Sequence, residues 1–277
     1  MSYLQAIILG LVQGIAEFLP ISSSGHLKLF EKLLGLPNVE TDYIFFDVLL
    51  HFGTLIAVCI VYHRVIWQTL RELLGMLHLR QYQPGEMPDG PKRRFIILLI
   101  ISLLPLFLIL PIKNTVEALS SNYLVVGLML ILTGLCLYIC DHLPTGKKDE
   151  KEMTVWDALL VGIAQAFAVL PGLSRSGLTI CTGSARGMDR SFAVQFSFLM
   201  SIPSILAAII LQLVDAFKAG IDTALLPKYL VGVAVAAVSG IAAMRFLQFI
   251  ARKNRFGGFA YYCWGAGVVS MFLFLIS

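Results

Sequence analysis

Two apolar stretches in this chain stop too soon. A helix needs about 20 apolar residues to cross a bilayer core of about 30 Å. Leu4 to Leu19 and Val155 to Leu170 both fall short of that length. The first runs into Pro20-Ile21-Ser22-Ser23-Ser24-Gly25-His26, the second into Pro171-Gly172-Leu173-Ser174-Arg175-Ser176-Gly177. Proline and glycine end helices, and unpaired backbone cannot face lipid. A shorter apolar stretch follows each turn. The economical reading is two re-entrant hairpins, each a helix, a polar turn at mid-membrane and a helix back. The alternative is an ordinary span with a surface loop.

The rest of the chain supports a membrane setting. Phe95 to Ile112, Tyr123 to Cys140, Ser191 to Val214 and Phe256 to Ser277 carry no Asp, Glu, Lys or Arg. Tyr229 to Ala251 spans with one arginine, Arg245, and its Gly232, Ala236 and Gly240 recur every four residues, which favours close helix packing. Tyr43 to Tyr62 spans although it contains Asp47 and His51. Only 14% of residues are charged, against about 25% for an ordinary soluble domain, and mean hydropathy is +0.83. Disorder, a cytosolic enzyme and a nucleic-acid-binding module are excluded, and the net charge of +4 is too modest to suggest nucleic acid. Cys59, Cys136, Cys140, Cys181 and Cys263 lack Cys-x-x-Cys spacing and are expected to be small apolar residues, not disulfides or metal ligands. The N-terminus has no basic lead-in, and Glu17 interrupts its apolar run, so it does not read as a cleaved signal peptide.

The two broken segments resemble each other. Gln13 lies twelve residues before Gly25, and Gln165 twelve before Gly177, with Leu-Pro and a serine cluster between. Each is followed by three spans. A hairpin returns to its own side and three is odd, so the second half starts from the opposite face. The expected architecture is an all-α polytopic membrane protein: six transmembrane helices plus two re-entrant helical hairpins in an inverted-topology repeat. Residues 1–277 form one integral membrane domain, with halves at 1–141 and 154–277 and a cytoplasmic loop at 63–94. Outside the second turn, fifteen basic residues fall on one side and five on the other, Lys28, Lys32, Lys113, Lys218 and Lys228. The fifteen mark the cytoplasm, which places both termini outside.

Polar groups inside a bilayer are costly and need a reason. The first hairpin carries Gln13, Glu17, Ser22, Ser23, Ser24 and His26; the second carries Gln165, Ser174, Arg175, Ser176 and Thr179. Gln13 and Glu17 are four apart, hence on one helix face. Ser174, Arg175 and Ser176 sit where a helix would restart, and a helix start beside a guanidinium is an anion site suited to phosphate. A carboxylate, an imidazole, hydroxyls and an arginine together supply a clamp, a nucleophile or water activator, and an acid. Each also has a plainer reading. The serines could be helix caps, His26 a satisfied polar residue, Glu17 and Arg175 a structural ion pair. Asp47 and His51, four apart, could be structural or could line the pocket.

At Gln13-Gly14-Ile15-Ala16-Glu17-Phe18-Leu19-Pro20-Ile21-Ser22-Ser23-Ser24-Gly25-His26 and Pro171-Gly172-Leu173-Ser174-Arg175-Ser176-Gly177-Leu178-Thr179, the chain resembles the bacterial undecaprenyl-diphosphatase family, also called the bacitracin-resistance protein family. The span layout matches over essentially the whole chain. The resemblance implies an inner-membrane phosphatase that removes the terminal phosphate of undecaprenyl diphosphate and recycles the lipid carrier for cell-wall peptidoglycan synthesis. It implies a divalent cation, Mg²⁺ or Ca²⁺, with Glu17 as its ligand. It carries catalytic roles to Glu17, Ser23, His26 and Arg175, with serine, histidine or water as the nucleophile, and substrate contacts to Gln13, Ser174 and Thr179; Ser22, Ser24 and Ser176 of the same turns are expected to contact the substrate with them. Gln13 stands where the family often has glutamate, which puts a two-glutamate metal site in doubt. The expected partners are the polyprenyl diphosphate lipid and the bilayer, with a homodimer left open and no nucleic acid. The competing reading is a transporter or flippase for an anionic lipid, since inverted repeats with broken helices are transporter architecture. A structural scaffold fits poorly with so many buried ionisable groups.

Overall fold

A computed structural model describes residues 1–36, 43–77, 90–112, 115–116, 119, 122–219, 222–253 and 255–275. Apart from one isolated bridge, Lys148 to Met188, its regular structure among the described residues is helical. The helices are α1 (Tyr3–Phe18), α2 (Ser23–Leu33), α3 (Ile44–Val61), α4 (His63–Met76), α5 (Gly90–Leu103), α6 (Tyr123–His142), α7 (Val155–Phe167), α8 (Arg175–Ala185), α9 (Arg190–Ala219), α10 (Leu226–Arg252) and α11 (Gly257–Leu275). Among the described residues, six segments are long and apolar enough to cross a membrane: Ile44–Val61, Gly90–Ile112, Tyr123–His142, Arg190–Lys218, Thr223–Arg252 and Gly257–Leu275. They fall on the six spans expected from the sequence. The α-helical ladder of α5 gives way to 3-10 turns at Leu104–Leu108 and Leu110–Ile112, because Pro105 and Pro111 cannot donate a backbone N–H. The five cysteines are free.

The stretch expected as a loop at 63–94 departs from that expectation. His63–Met76 folds as α4 and α5 begins at Gly90; Pro84-Gly85 falls outside the described residues, as do Arg80 and Lys113. Val65, Ile66 and Leu73 share one face of α4 at helical spacing, with Arg64 and Arg71 among its polar positions, so the segment forms an amphipathic helix.

The helix pairs α1–α2 and α7–α8 are built alike. Each first helix opens with a capping box. Ser2 Oγ accepts from Gln5 N at 3.2 Å while Gln5 accepts from Ser2 N; Thr154 and Asp157 do the same for α7. Each pair brings its beginning and end together: Gln5 Nε2 donates to the Leu34 carbonyl at 3.1 Å, and Arg186 Nε donates to Asp157 at 2.7 Å. Each turn is followed by a serine cap. Ser22 Oγ accepts from Gly25 N, and Ser174 Oγ from Gly177 N at 3.1 Å.

Small residues let the helices approach closely. An added Cβ at Gly10 would stand 2.5 Å from the Gly232 carbonyl oxygen, so α1 and α10 touch backbone to backbone. Gly127 and Gly267 do the same for α6 and α11. Such contacts replace a hydrophobic driving force that lipid cannot supply. The central core gathers Phe18, Phe198, Val161, Ile180, Met244 and Leu247 from both halves, with Phe18 and Phe198 edge to face at 5.5 Å. Buried Arg190 donates to the carbonyls of Cys140, Asp141 and Leu143, tying the start of α9 to the C-terminus of α6.

Candidate active site

The turn after α1 and the turn before α8 meet. Ser176 Oγ donates to the Leu19 carbonyl at 3.2 Å, across 157 positions of chain. The first turn is strained: Ser22 has φ +72°, the left-handed region that a residue with a Cβ rarely enters. The second turn uses Gly172, φ +94°, where a Cβ would strike the Val126 carbonyl. Thr133 of α6 holds this turn, donating to the Gly172 carbonyl and accepting from Ser174 N.

Where the turns meet, Glu17 is shared. Arg175 Nη2 donates to its Oε1 at 2.5 Å, Ser23 Oγ to its Oε2 at 2.7 Å, and Gln13 Nε2 to its Oε2 at 3.3 Å. Arg175 Nη1 is buried and has no hydrogen-bond partner among the described residues. A guanidinium with one nitrogen fixed by a carboxylate and another unsatisfied keeps donor capacity for an oxyanion.

Glu17, Ser23 and Arg175 open onto a cavity of about 430 Å³. Its polar wall adds Ser24, Lys28, Glu31, Asp47, His51, Gln165, Ser204 and Gln212; its apolar wall comes from the 3-10 turns after α5, the end of α7 and the middle of α9. One side suits a charged head, the other a hydrocarbon tail. Pro203 breaks the ladder of α9 beside this wall, and Ser204 Oγ donates back to Met200 and Ser201.

Other residues singled out by sequence lie elsewhere. Gln13 is fully buried behind Glu17. Ser174 and Ser176 hydrogen-bond each other at the junction of the turns, and the Thr179 hydroxyl lies 2.7 Å from that of Ser197. Ser22 caps α2. These five support the site and do not line its cavity. His26 also stands behind the wall. Its Nδ1 is 2.8 Å from the Ser22 carbonyl and its Nε2 2.8 Å from the Tyr262 hydroxyl. A carbonyl only accepts, so Nδ1 carries a proton, and in the neutral ring Nε2 accepts from Tyr262. Conversely, Lys28 and Glu31, 3.6 Å apart, join the wall although the sequence pattern did not point to them. Their signal was available: both lie one helical turn or two beyond Ser24 on α2.

The donor set does not build a resident metal site. Both Glu17 oxygens are engaged, one by a cation, and among the described residues no three His, Cys, Asp or Glu side chains stand together as ligands.

A membrane-spanning helical bundle with an arginine–carboxylate centre in a half-polar, half-apolar cavity defines a class: proteins that handle the anionic head of a lipid. The chain belongs to the family described as bacitracin resistance protein BacA, whose pattern matches residues 6–269. It is 39% identical over 274 residues to an undecaprenyl-diphosphatase from Halothermothrix orenii, covering 99% of this chain and 98% of that protein. It is 36% identical over 277 residues to one from Alkaliphilus metalliredigens, covering both chains fully, and 39% identical to one from Carboxydothermus hydrogenoformans over 99% and 98% of the two chains.

Proposed function

We propose that this chain is a multi-pass membrane phosphatase that hydrolyses undecaprenyl diphosphate to undecaprenyl phosphate and inorganic phosphate, returning the lipid carrier to cell-wall synthesis. Family membership and full-length similarity to undecaprenyl-diphosphatases support it. The observation that carries the chemistry is the Glu17 carboxylate, which fixes Arg175 at 2.5 Å and accepts the Ser23 hydroxyl proton at 2.7 Å. That is a nucleophile, its base and an oxyanion clamp in one cluster.

In the mechanism, Arg175 binds the terminal phosphate through its unsatisfied Nη1. Ser23 Oγ attacks the phosphorus as its proton passes to Glu17. The prenyl tail lies along Leu106, Ile109, Ile205 and Leu211. His26 is a positioning residue that holds the strained Ser22 turn and therefore Ser23. The cavity wall carries the carboxylates of Glu17, Glu31 and Asp47 against the permanent cations Lys28 and Arg175. An added diphosphate makes that balance worse, and a divalent cation, Mg²⁺ or Ca²⁺, would supply the positive charge that the wall lacks.

The helix pairs are re-entrant hairpins of an inverted repeat within one membrane domain. Each starts and ends at a shared edge, and α1–α10 packing is matched by α7–α5 packing in the other half. Lys32 Nζ donates to the Leu273 carbonyl, and the N-terminal amine to the Tyr43 hydroxyl, which agrees with both termini on the external side, where basic residues are fewer. No observation favours the transporter reading. Purified protein in detergent, where no gradient exists, should release phosphate from undecaprenyl diphosphate. Uptake of the lipid by proteoliposomes without phosphate release would favour a carrier.

A further inference from the structure

With Glu17 as base for Ser23, the departing bridging oxygen still needs a proton donor, a task that falls most often to an imidazole. His26 has both ring nitrogens engaged behind the wall. The histidine that lines the cavity, together with Glu17, Ser23 and Arg175, is His51 of α3. Its Nδ1 lies 2.9 Å from the Asp47 carbonyl and 3.8 Å from Asp47 Oδ1. Since the carbonyl only accepts, Nδ1 keeps a proton, and Nε2 is the ring atom left for proton transfer. The Asp47 carbonyl one turn back orients the ring, as the third member of a nucleophile–base–orienter set does, with the Asp47 carboxylate beside it.

We propose that His51 is a catalytic acid–base residue of the phosphatase, held by Asp47; this rests on the hydrolase reading above. In the first step Ser23 Oγ bonds to the terminal phosphorus and its proton goes to Glu17. The bond from phosphorus to the bridging oxygen breaks, and that oxygen keeps the electron pair and takes the Nε2 proton of His51. Undecaprenyl phosphate leaves. In the second step neutral Nε2 takes a proton from water, whose oxygen bonds to the phosphorus of the phosphoserine. The Ser23 Oγ–phosphorus bond breaks, and Ser23 recovers its proton from Glu17. Inorganic phosphate leaves and His51 is charged again. The ionisable groups sharing the cavity with His51 are Asp47 from α3, Glu17 from α1, Lys28 and Glu31 from α2, and Arg175 from α8; α9 contributes neutral Ser204 and Gln212.

The test is phosphate release from undecaprenyl diphosphate by purified protein in detergent, with His51→Asn and His51→Ala beside the wild type. General acid–base catalysis contributes about 10² to 10⁴ in rate. His51→Asn should lose at least about 100-fold in kcat with KM within about threefold. Free imidazole should restore His51→Ala at least about tenfold, which no structural role would give. Wild-type turnover with His51→Asn within about threefold of it would overturn this role alone, and so would a monodisperse, inactive His51→Ala that imidazole fails to rescue. Wild-type protein that releases no phosphate would remove the hydrolase reading and this role with it.

Discussion

Glu17 and Arg175 lie 158 positions apart and meet at 2.5 Å, one at the end of α1 and the other at the start of α8. The pair joins the two halves of the protein at the point where the chemistry is placed. In such a setting each charge is tolerable only because of the other. Removing one partner of a buried pair leaves an uncompensated charge, at a cost of about 3–5 kcal/mol. Assembly and reactivity therefore share the same two side chains.

In the proposed mechanism Ser23 is the nucleophile, its hydroxyl already donating to Glu17 at 2.7 Å. Ser23→Ala should lower phosphate release by about 10² or more while leaving the chain monodisperse. Turnover above about a tenth of wild type would assign the attack to water.

Gly14 marks the tightest crossing of α1 on α10. A Cβ there would lie 2.0 Å from Ser239 Oγ and 2.4 Å from the Ala236 carbonyl oxygen, and backbone cannot rotate away. Gly14→Ala should destabilise the protein by about 2 kcal/mol or more, read as a lower thermal midpoint in detergent. Gly265, whose added Cβ meets nothing within 4 Å, is the control: Gly265→Ala should leave the midpoint unchanged or slightly raised.

If His26 positions the Ser22 turn as proposed, Tyr262 acts through it. Tyr262→Phe removes the hydroxyl 2.8 Å from Nε2 without opening a cavity. As a positioning contact it should reduce kcat about 3- to 30-fold, with KM little changed, and His26→Ala should cost more. In the double variant the two losses should not add, since both work through the Ser22 turn. Full additivity in kcat would place His26 and Tyr262 on separate paths.

A cation that arrived only with the substrate would leave a distinct trace. Chelation should reduce turnover, with Mg²⁺ restoring it, while calorimetry of Mg²⁺ against the protein alone should show no tight site. Stoichiometric binding without substrate would mean that a resident site exists.

Much of this was legible in the sequence. Uncharged runs bounded by charge gave the six spans, and Pro20 and Pro171 gave the two turns. Glu17 and Arg175 stood out because a membrane tolerates so few charges, and the four-residue spacing put Gln13 beside Glu17. What spacing cannot give is which face of a helix meets which neighbour. It groups Asp47 with His51 yet does not say whether they face lipid, a helix or a cavity; the packing of α3 against α9 and α10 decides that. The same limit hid the turn of Ser174, Ser176 and Thr179 toward the junction, and that of His26 toward α11. Lys28 counted only among the external basic residues, because spacing does not say which face of α2 is left open once it packs on α1 and α6. The stretch at 63–94 looked like a loop because Pro84 and Asp89-Gly90-Pro91 masked the amphipathic period of α4.

The most direct measurement is a double-mutant cycle on phosphate release from undecaprenyl diphosphate with Glu17→Gln, Arg175→Ala and both together. If one carboxylate–guanidinium unit performs the reaction, each single variant loses about 10² to 10⁴ in kcat/KM, and the double variant is barely worse than either. Wild-type turnover in Arg175→Ala, or two modest losses that simply multiply, would contradict it.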